Sequence, residues 1–346
     1  MSSRERLGRI GVIANPCAGA GPDVLRSLLT RLLPVLRESD VVLSAGTFEA
    51  AAADAFGLPC RKVRGPVGDA GGLTRGLLEA GVDTVIGVGG DGTLGDIGSV
   101  LSSAGSVARL IGVGVGSSNV GPLVGTTAAE LEGFFASPWM DVPVHALEVG
   151  VDGAKVGLSF HDAVVANTFF GTRGGRRVDL DAAGAFCGED RVAHPLSVCG
   201  QETWIAKNGR RLLAGAQLEG GQIVASPLND TDSCRGMAAS GFLCWGPYVG
   251  CLGIVAAASA LLIRTQVGRG DLEAVEPLRI FHLGLAPDDV VEMGGFRTGA
   301  ALVVDGTPRC AATPSMTVSL STVEGAVVSI RRAASVVGAP EGEESE

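Results

Sequence analysis

Apolar residues fall into two rhythms along this chain. Over the first part, short runs of Val, Ile, Gly and Ala alternate with longer stretches whose Leu and Val recur at helical spacing. "RIGVIAN" (9–15) predicts a buried strand, and "PDVLRSLLTRLLPVLRES" (22–39) an amphipathic helix with Pro22 and Asp23 in its first turn. The alternation continues through strand "VVLSA" (41–45), helix 48–56, strand "CRKVRG" (60–65) and helix 69–80. Strand "DTVIGVGG" (83–90), helix 94–104, strand "RLIGVGVG" (109–116) and helix 127–136 complete it. Strand and helix repeated with short connections predict α/β architecture: a parallel sheet with helices on both faces.

From residue 142 the helical rhythm gives way to short alternating segments. "HALEVGVDGAKVGLSFHDAVVANTFF" predicts a hairpin turning at Asp152–Gly153. "RRLLAGAQLEGGQIVAS", "ALVVDGTPRCAA" and "MTVSLSTVEGAVVSIRR" continue the pattern, with a turn expected at Asp305. The organisation read from this is an α/β domain over 1–140, a β-rich domain over 141–335 and a disordered acidic tail over 336–346. No internal repeat is visible. The uncharged run 236–263 is long enough to span a bilayer, but its glycines and Pro247 break it, so buried core is expected rather than a membrane span.

Composition narrows the function. The chain has 53 glycines in 346 residues, about twice the usual share of roughly 7%, and they are not periodic. Many tight turns are implied, some close enough to a ligand to exclude side chains. A net charge of −10 argues against nucleic acid as a partner but not against a nucleotide, because backbone amides hold phosphate without net positive charge. The eight cysteines show no CxxC spacing, and "MSSRERLGRI" carries no apolar signal core. Reduced thiols in a cytoplasmic protein are the expectation.

Ligands of open parallel sheets bind beyond the carboxyl ends of the strands. Three predicted strands end in "NPCAGAG" (15–21), "GGDGT" (89–93) and "GVGSSNVG" (114–121), all glycine-rich or small and polar. In a parallel sheet these loops share one edge, where turns of positive φ aim successive amides at one oxyanion. The first also opens on a helix N-terminus, which favours phosphate. One of the three delivers a bare carboxylate, Asp91.

These residues resemble a known group. The order "GVIANPCAGAG … GGDGTLGDI … GVGVGSSNV … VVDGTPR" is similar to the ATP-NAD kinase family, in its AcoX-like branch, within the NAD kinase and diacylglycerol kinase superfamily. The resemblance runs from about residue 8 to 335 and is thin between 175 and 270. It implies a Rossmann-like N-terminal domain, a β-sandwich-like C-terminal domain and an active site between them. It also implies transfer of phosphate from ATP (or polyphosphate), with Mg²⁺, to a hydroxyl of a small molecule such as NAD, in a homo-oligomer. Carried over, Asp91 is the catalytic carboxylate, acting as base or metal anchor. Asn15, Gly19, Gly21, Gly89, Gly90, Gly92, Thr93, Gly116, Ser117, Ser118 and Asn119 would hold the nucleotide.

Several residues keep two readings. Asp96 is expected in the first turn of the following helix, as a second metal-directed carboxylate or a partner of the helix dipole. Asn15 contacts nucleotide or caps an Asx turn, and the 117–119 side chains bind ligand or only their own loop. His161 and Asp162 stand where NAD kinases carry Asn-Glu or Asn-Asp, so they contact substrate or form a buried pair. Arg173 lies in "GTRGGRR" (171–177), a phosphate-binding loop or a solvated one. The "GMAASGFLCWGPYV" segment has lost the polar residues of its NAD kinase counterpart, and Thr307 replaces a glutamate. A lipid or other small-alcohol kinase, and a nucleotide sensor without turnover, are the alternatives to an NAD kinase-like enzyme.

Overall fold

The computed structural model describes residues 7–16, 21–63, 69–116, 119–173, 176–229, 250–261, 264–265, 269–270 and 279–333. In the first part, strands β1 (Ile10–Ala14), β2 (Val41–Ser44), β3 (Arg61–Val63), β4 (Thr84–Gly89) and β5 (Arg109–Gly114) pair in parallel, in the order β3-β2-β1-β4-β5. Helices α1 (Gly21–Leu36), α2 (Phe48–Ala55), α3 (Ala70–Glu79) and α4 (Asp91–Ser103) connect them. β6 (Thr126–Thr127) and α5 (Leu131–Ala136) follow. Strands β1, β2 and β4 are buried throughout, as β-branched runs covered on both faces must be. Leu25, Leu28 and Leu32 of α1 pack one face with Ala50 of α2 and Phe134 of α5. Leu73 and Leu77 of α3 pack the other with Leu94 and Ile97 of α4. The strand order reverses between β1 and β4, which makes the carboxyl ends of those two strands a switch point open to a ligand.

Two boundaries differ from the sequence reading. Helix α4 starts at Asp91 rather than 94, because the Gly90–Gly92 bend is itself the helix entry and an acidic first residue suits the helix dipole. Asp96 consequently lies in the second turn. Helix α5 starts at Leu131 rather than 127, because the β-branched Thr126–Thr127 pair beside β5 instead.

The second part is β-rich. Strands β7 (Trp139–Val151) and β8 (Ala154–Ser159) form the expected hairpin, turning at Asp152 (φ 49) and Gly153 (φ 80). Next come β9 (Ala163–Ala166), β10 (Thr168–Arg173), β11 (Arg176–Asp181), α6 (Ala182–Ala185), β12 (Trp204–Lys207), β13 (Arg210–Ala214) and β14 (Gln222–Pro227). The last are β15 (Gly253–Ala258), β16 (Ile280–Leu285), β17 (Val290–Gly294), β18 (Ala301–Val304), β19 (Thr307–Ala311) and β20 (Thr317–Arg332). Strand β20 runs antiparallel to β17 and β7 and reaches β5 at Ser329, which joins both parts into one 12-stranded sheet. A six-stranded antiparallel sheet, β16-β15-β14-β9-β18-β19, packs over its far half. Between them Leu147, Val318, Leu320 and Met293 meet Val165, Ile223, Val255 and Leu302. Of the apolar run 236–263, residues 253–258 are the buried strand β15, while 236–249 and 262–263 lie outside the described residues, as does the acidic tail. Among the described residues, no helix is long and apolar enough to cross a membrane.

One buried group is out of keeping with this core. Glu49 in the first turn of α2 is 2% exposed and lies against an apolar cavity lined by Leu29, Leu33, Leu36 and Phe56. Among the described residues, neither carboxylate oxygen has a hydrogen-bond partner. Burial lifts its pKa from 4.5 to about 7, with the nearby Thr47 and Ala14 only tempering the rise. The folded state therefore holds a proton that the unfolded chain releases above its ordinary value. Stability from this group is full below that value and is lost as pH climbs through about 7. Denaturant titrations of Glu49→Gln should show about 2 kcal/mol less loss of stability between pH 5 and pH 8 than the wild type shows. An unchanged difference would show that Glu49 does not ionise at a cost.

Candidate active site

The site is assembled around a turn that no local pattern marks as important. Asp305 (φ 48) and Gly306 (φ 75) link β18 to β19, a conformation that Asp and Gly tolerate. The Asp305 side chain turns inward and is buried. Its Oδ1 accepts from Ser159 Oγ (3.0 Å), the His161 amide (2.8 Å) and the Asp162 amide (3.1 Å). Its Oδ2 accepts from the Phe160 amide at 2.9 Å. Burial pushes its pKa up to about 6, against the pull of the Phe160 and His161 amides and of the His161 ring. Helix α4 lies directly on this turn: a methyl group at Gly95 would come within 2.7 Å of Asp305 Oδ2.

At the N-terminus of α4, Asp91 faces the third glycine-rich loop. Its Oδ1 accepts from the Gly121 amide at 2.9 Å and its Oδ2 from the Val120 amide at 3.3 Å. Gly90 caps the helix with no side-chain bond. Asn15 donates from Nδ2 to Thr93 Oγ at 2.8 Å, and the Val115 amide donates to the Gly89 carbonyl at 2.9 Å. The described parts of all three loops therefore meet at the carboxyl edge of β1, β4 and β5. Gly19, Ser117 and Ser118 lie outside the described residues. Asn119 (φ 54) brackets Gly116 with both ends of its amide, at 2.6 and 2.9 Å, so its side chain serves its own loop. Gly21 opens α1 with positive φ and open space where a side chain would be.

The second part contributes His161 and Asp162. The imidazole Nδ1 faces Asp162 Oδ2 at 3.2 Å, and the His161 carbonyl accepts from Ser226 Oγ at 2.7 Å. A methyl at Gly121 would stand 2.8 Å from Asp91 Oδ1 and 3.5 Å from His161 Cβ, so one stretch of backbone touches both side chains. Burial opposes charge on this ring, but Asp162, Asp305 and Asp91 overcome it and raise its pKa to about 9.

Asp96 pairs with Arg309 of β19 at 2.9 Å. Arg173 is exposed, next to the tip of the separate β10–β11 ribbon. Among the described residues no cluster of three or more His, Cys, Asp or Glu could hold a metal. Mg²⁺, however, needs only one or two carboxylates when phosphate and water fill its shell. Sequence reasoning missed the inward role of Asp305, the Asp96–Arg309 pair and the amides of Val120 and Gly121. Only the Asp305–Gly306 turn left a local trace.

No protein-family model matches the chain. It is 27% identical over 272 residues to an uncharacterized protein of Archaeoglobus fulgidus, covering 78% of this chain and 83% of that one. Its fold is similar to yeast NADH kinase complexed with NADH, with TM-score 0.52, 12% identity and coverage of 95% of this chain and 84% of the other. A diacylglycerol kinase from Bacillus anthracis is similar at TM-score 0.50 and 13% identity, covering 94% and 97%. The chain therefore has the NAD kinase-like fold: a parallel α/β part followed by a part rich in antiparallel sheet.

Asp305→Asn keeps the turn conformation but sets an amide group against the donors around it. Unfolding by denaturant should show a loss of about 3 kcal/mol. A loss below about 1 kcal/mol would mean that this carboxylate does not anchor the 159–162 segment.

Proposed function

We propose that this protein is a kinase that transfers a phosphoryl group from ATP, or polyphosphate, to a hydroxyl of a small molecule, with NAD the first candidate acceptor and Asp91 the catalytic carboxylate. The observation that carries the reading is the position of Asp91. It stands at the first turn of α4 on the carboxyl edge of the parallel sheet, tied to the 120–121 amides, with His161 on the other side of the Gly121 backbone. The similarity in fold to an NADH kinase and a diacylglycerol kinase supports phosphoryl transfer as the reaction class.

The residues suit a magnesium-bound nucleotide. Each Asp91 oxygen accepts one amide and keeps a lone pair, and the first-turn amides of α4 have no side-chain cap. Mg²⁺·ATP, when bound, supplies the phosphoryl group and neutralises its charge. In this reading the Gly92 and Thr93 amides hold phosphate, and Asn15 positions Thr93. Gly19, Ser117 and Ser118 belong to the loops that complete the nucleotide site. Asp162 orients the acceptor. Asp91 takes the proton of the acceptor hydroxyl as its oxygen bonds to phosphorus and the bond to the nucleoside diphosphate breaks. Asp96 is engaged by Arg309, which leaves Asp91 as the metal-directed carboxylate.

A second reading keeps this chemistry and changes the acceptor to a lipid or another small alcohol. It is favoured by His161, which stands where NAD kinases carry asparagine. A radiolabelled phosphate-transfer assay with NAD and diacylglycerol as separate acceptors distinguishes the two. Asp91→Asn should lower transfer by about 10²–10⁴-fold, while the rise in melting temperature with ATP persists. Transfer by that variant near the wild-type rate would contradict the assignment.

A further inference from the structure

We propose that the Nε2–H of His161 donates a hydrogen bond to a phosphate oxygen of the nucleotide bound beside Asp91. The identity of the ligand as a nucleotide rests on the kinase reading. The need for an oxyanion does not.

The imidazole is fixed from several sides. Its Nδ1 is spent on Asp162 Oδ2 at 3.2 Å, its backbone amide donates to Asp305 at 2.8 Å, and its carbonyl accepts from Ser226 at 2.7 Å. That leaves Nε2, which is shielded from water and has no hydrogen-bond partner among the described residues. Buried polar atoms are nearly always satisfied, so an orphan held this firmly calls for a ligand atom.

The type of ligand follows from the charges that face the ring. These are the carboxylates of Asp162, Asp305 and Asp91, while Arg309 is drawn to Asp96 further along α4. With the Asp162 carboxylate held against Nδ1 at 3.2 Å, a proton on both ring nitrogens is favoured, in the same direction as the raised pKa of the ring. Nε2 is then a charged donor, and the acceptor that best complements it is an oxyanion. Asp91 and the His161 Cβ lie against the same Gly121 backbone, so a phosphate held at Asp91 would be a neighbour of His161. His161 would thus be a binding residue, distinct from the proton-accepting role given to Asp91.

Calorimetry with magnesium tripolyphosphate and with NAD, each without a second substrate, tests this separately from turnover. His161→Leu should weaken at least one probe by about tenfold or more, and His161→Gln, which restores a neutral N–H donor, should recover part of the loss. Melting temperatures of the two variants should match each other, so that lost affinity is not lost folding. A loss confined to tripolyphosphate places the contact on the phosphoryl donor, and one confined to NAD places it on the dinucleotide pyrophosphate. Undiminished binding of both probes by the leucine variant overturns the proposal, as does a wild-type protein that binds neither. Should the leucine variant fail to fold, the ¹⁵Nε2 resonance of His161 in the wild type decides. A shift on saturation with either probe supports the contact, and an unmoved resonance with both refutes it.

Discussion

Asp305 lies buried at the end of β18, and its two oxygens accept from the Ser159 hydroxyl and the amides of three successive residues, Phe160, His161 and Asp162. Burying a carboxylate is costly unless its lone pairs are filled. Here four donors fill them, and those donors belong to the segment that carries His161 and Asp162. The same turn abuts Gly95 on α4, whose first residue is Asp91. One buried side chain thereby anchors the 159–162 segment and abuts the helix bearing the candidate catalytic carboxylate. Strand β20 strengthens that junction by pairing with β7, β17 and β5.

Much of the first part was legible because its signals are local. Buried β-branched strands, amphipathic helices and glycine-rich loops on one edge follow from periodicity and from the geometry of parallel sheets. The start of α4 was misplaced by three residues because "GGDGT" has no apolar period, although it forms the helix entry. The turn at Asp305 was also legible, but its inward carboxylate was not. Its partners lie 143 to 146 residues earlier in sequence, and no spacing rule reaches that far. The Asp96–Arg309 pair, 213 residues apart, was hidden for the same reason.

The electrostatics of the junction are consistent across its residues. Burial opposes charge on the His161 ring, while Asp162, Asp305 and Asp91 favour it and raise its pKa. The candidate site therefore sets one carboxylate with lone pairs to spare, Asp91, near an imidazole that suits phosphate. Both requirements belong to phosphoryl transfer, where positioning and charge neutralisation dominate over covalent chemistry.

The central claim is that contact between α4 and the Asp305 turn fixes the His161–Asp162 segment, and Gly95→Ala tests it because its sign is unusual. In an ordinary helix this change is stabilising, but here the new methyl would come within 2.7 Å of Asp305 Oδ2. Amide hydrogen exchange on the variant should be faster at Phe160, His161 and Asp162, with the amides of Ile86 and Val88 in β4 unchanged. Unaltered protection at those three amides, or a variant more stable than the wild type, would contradict the account.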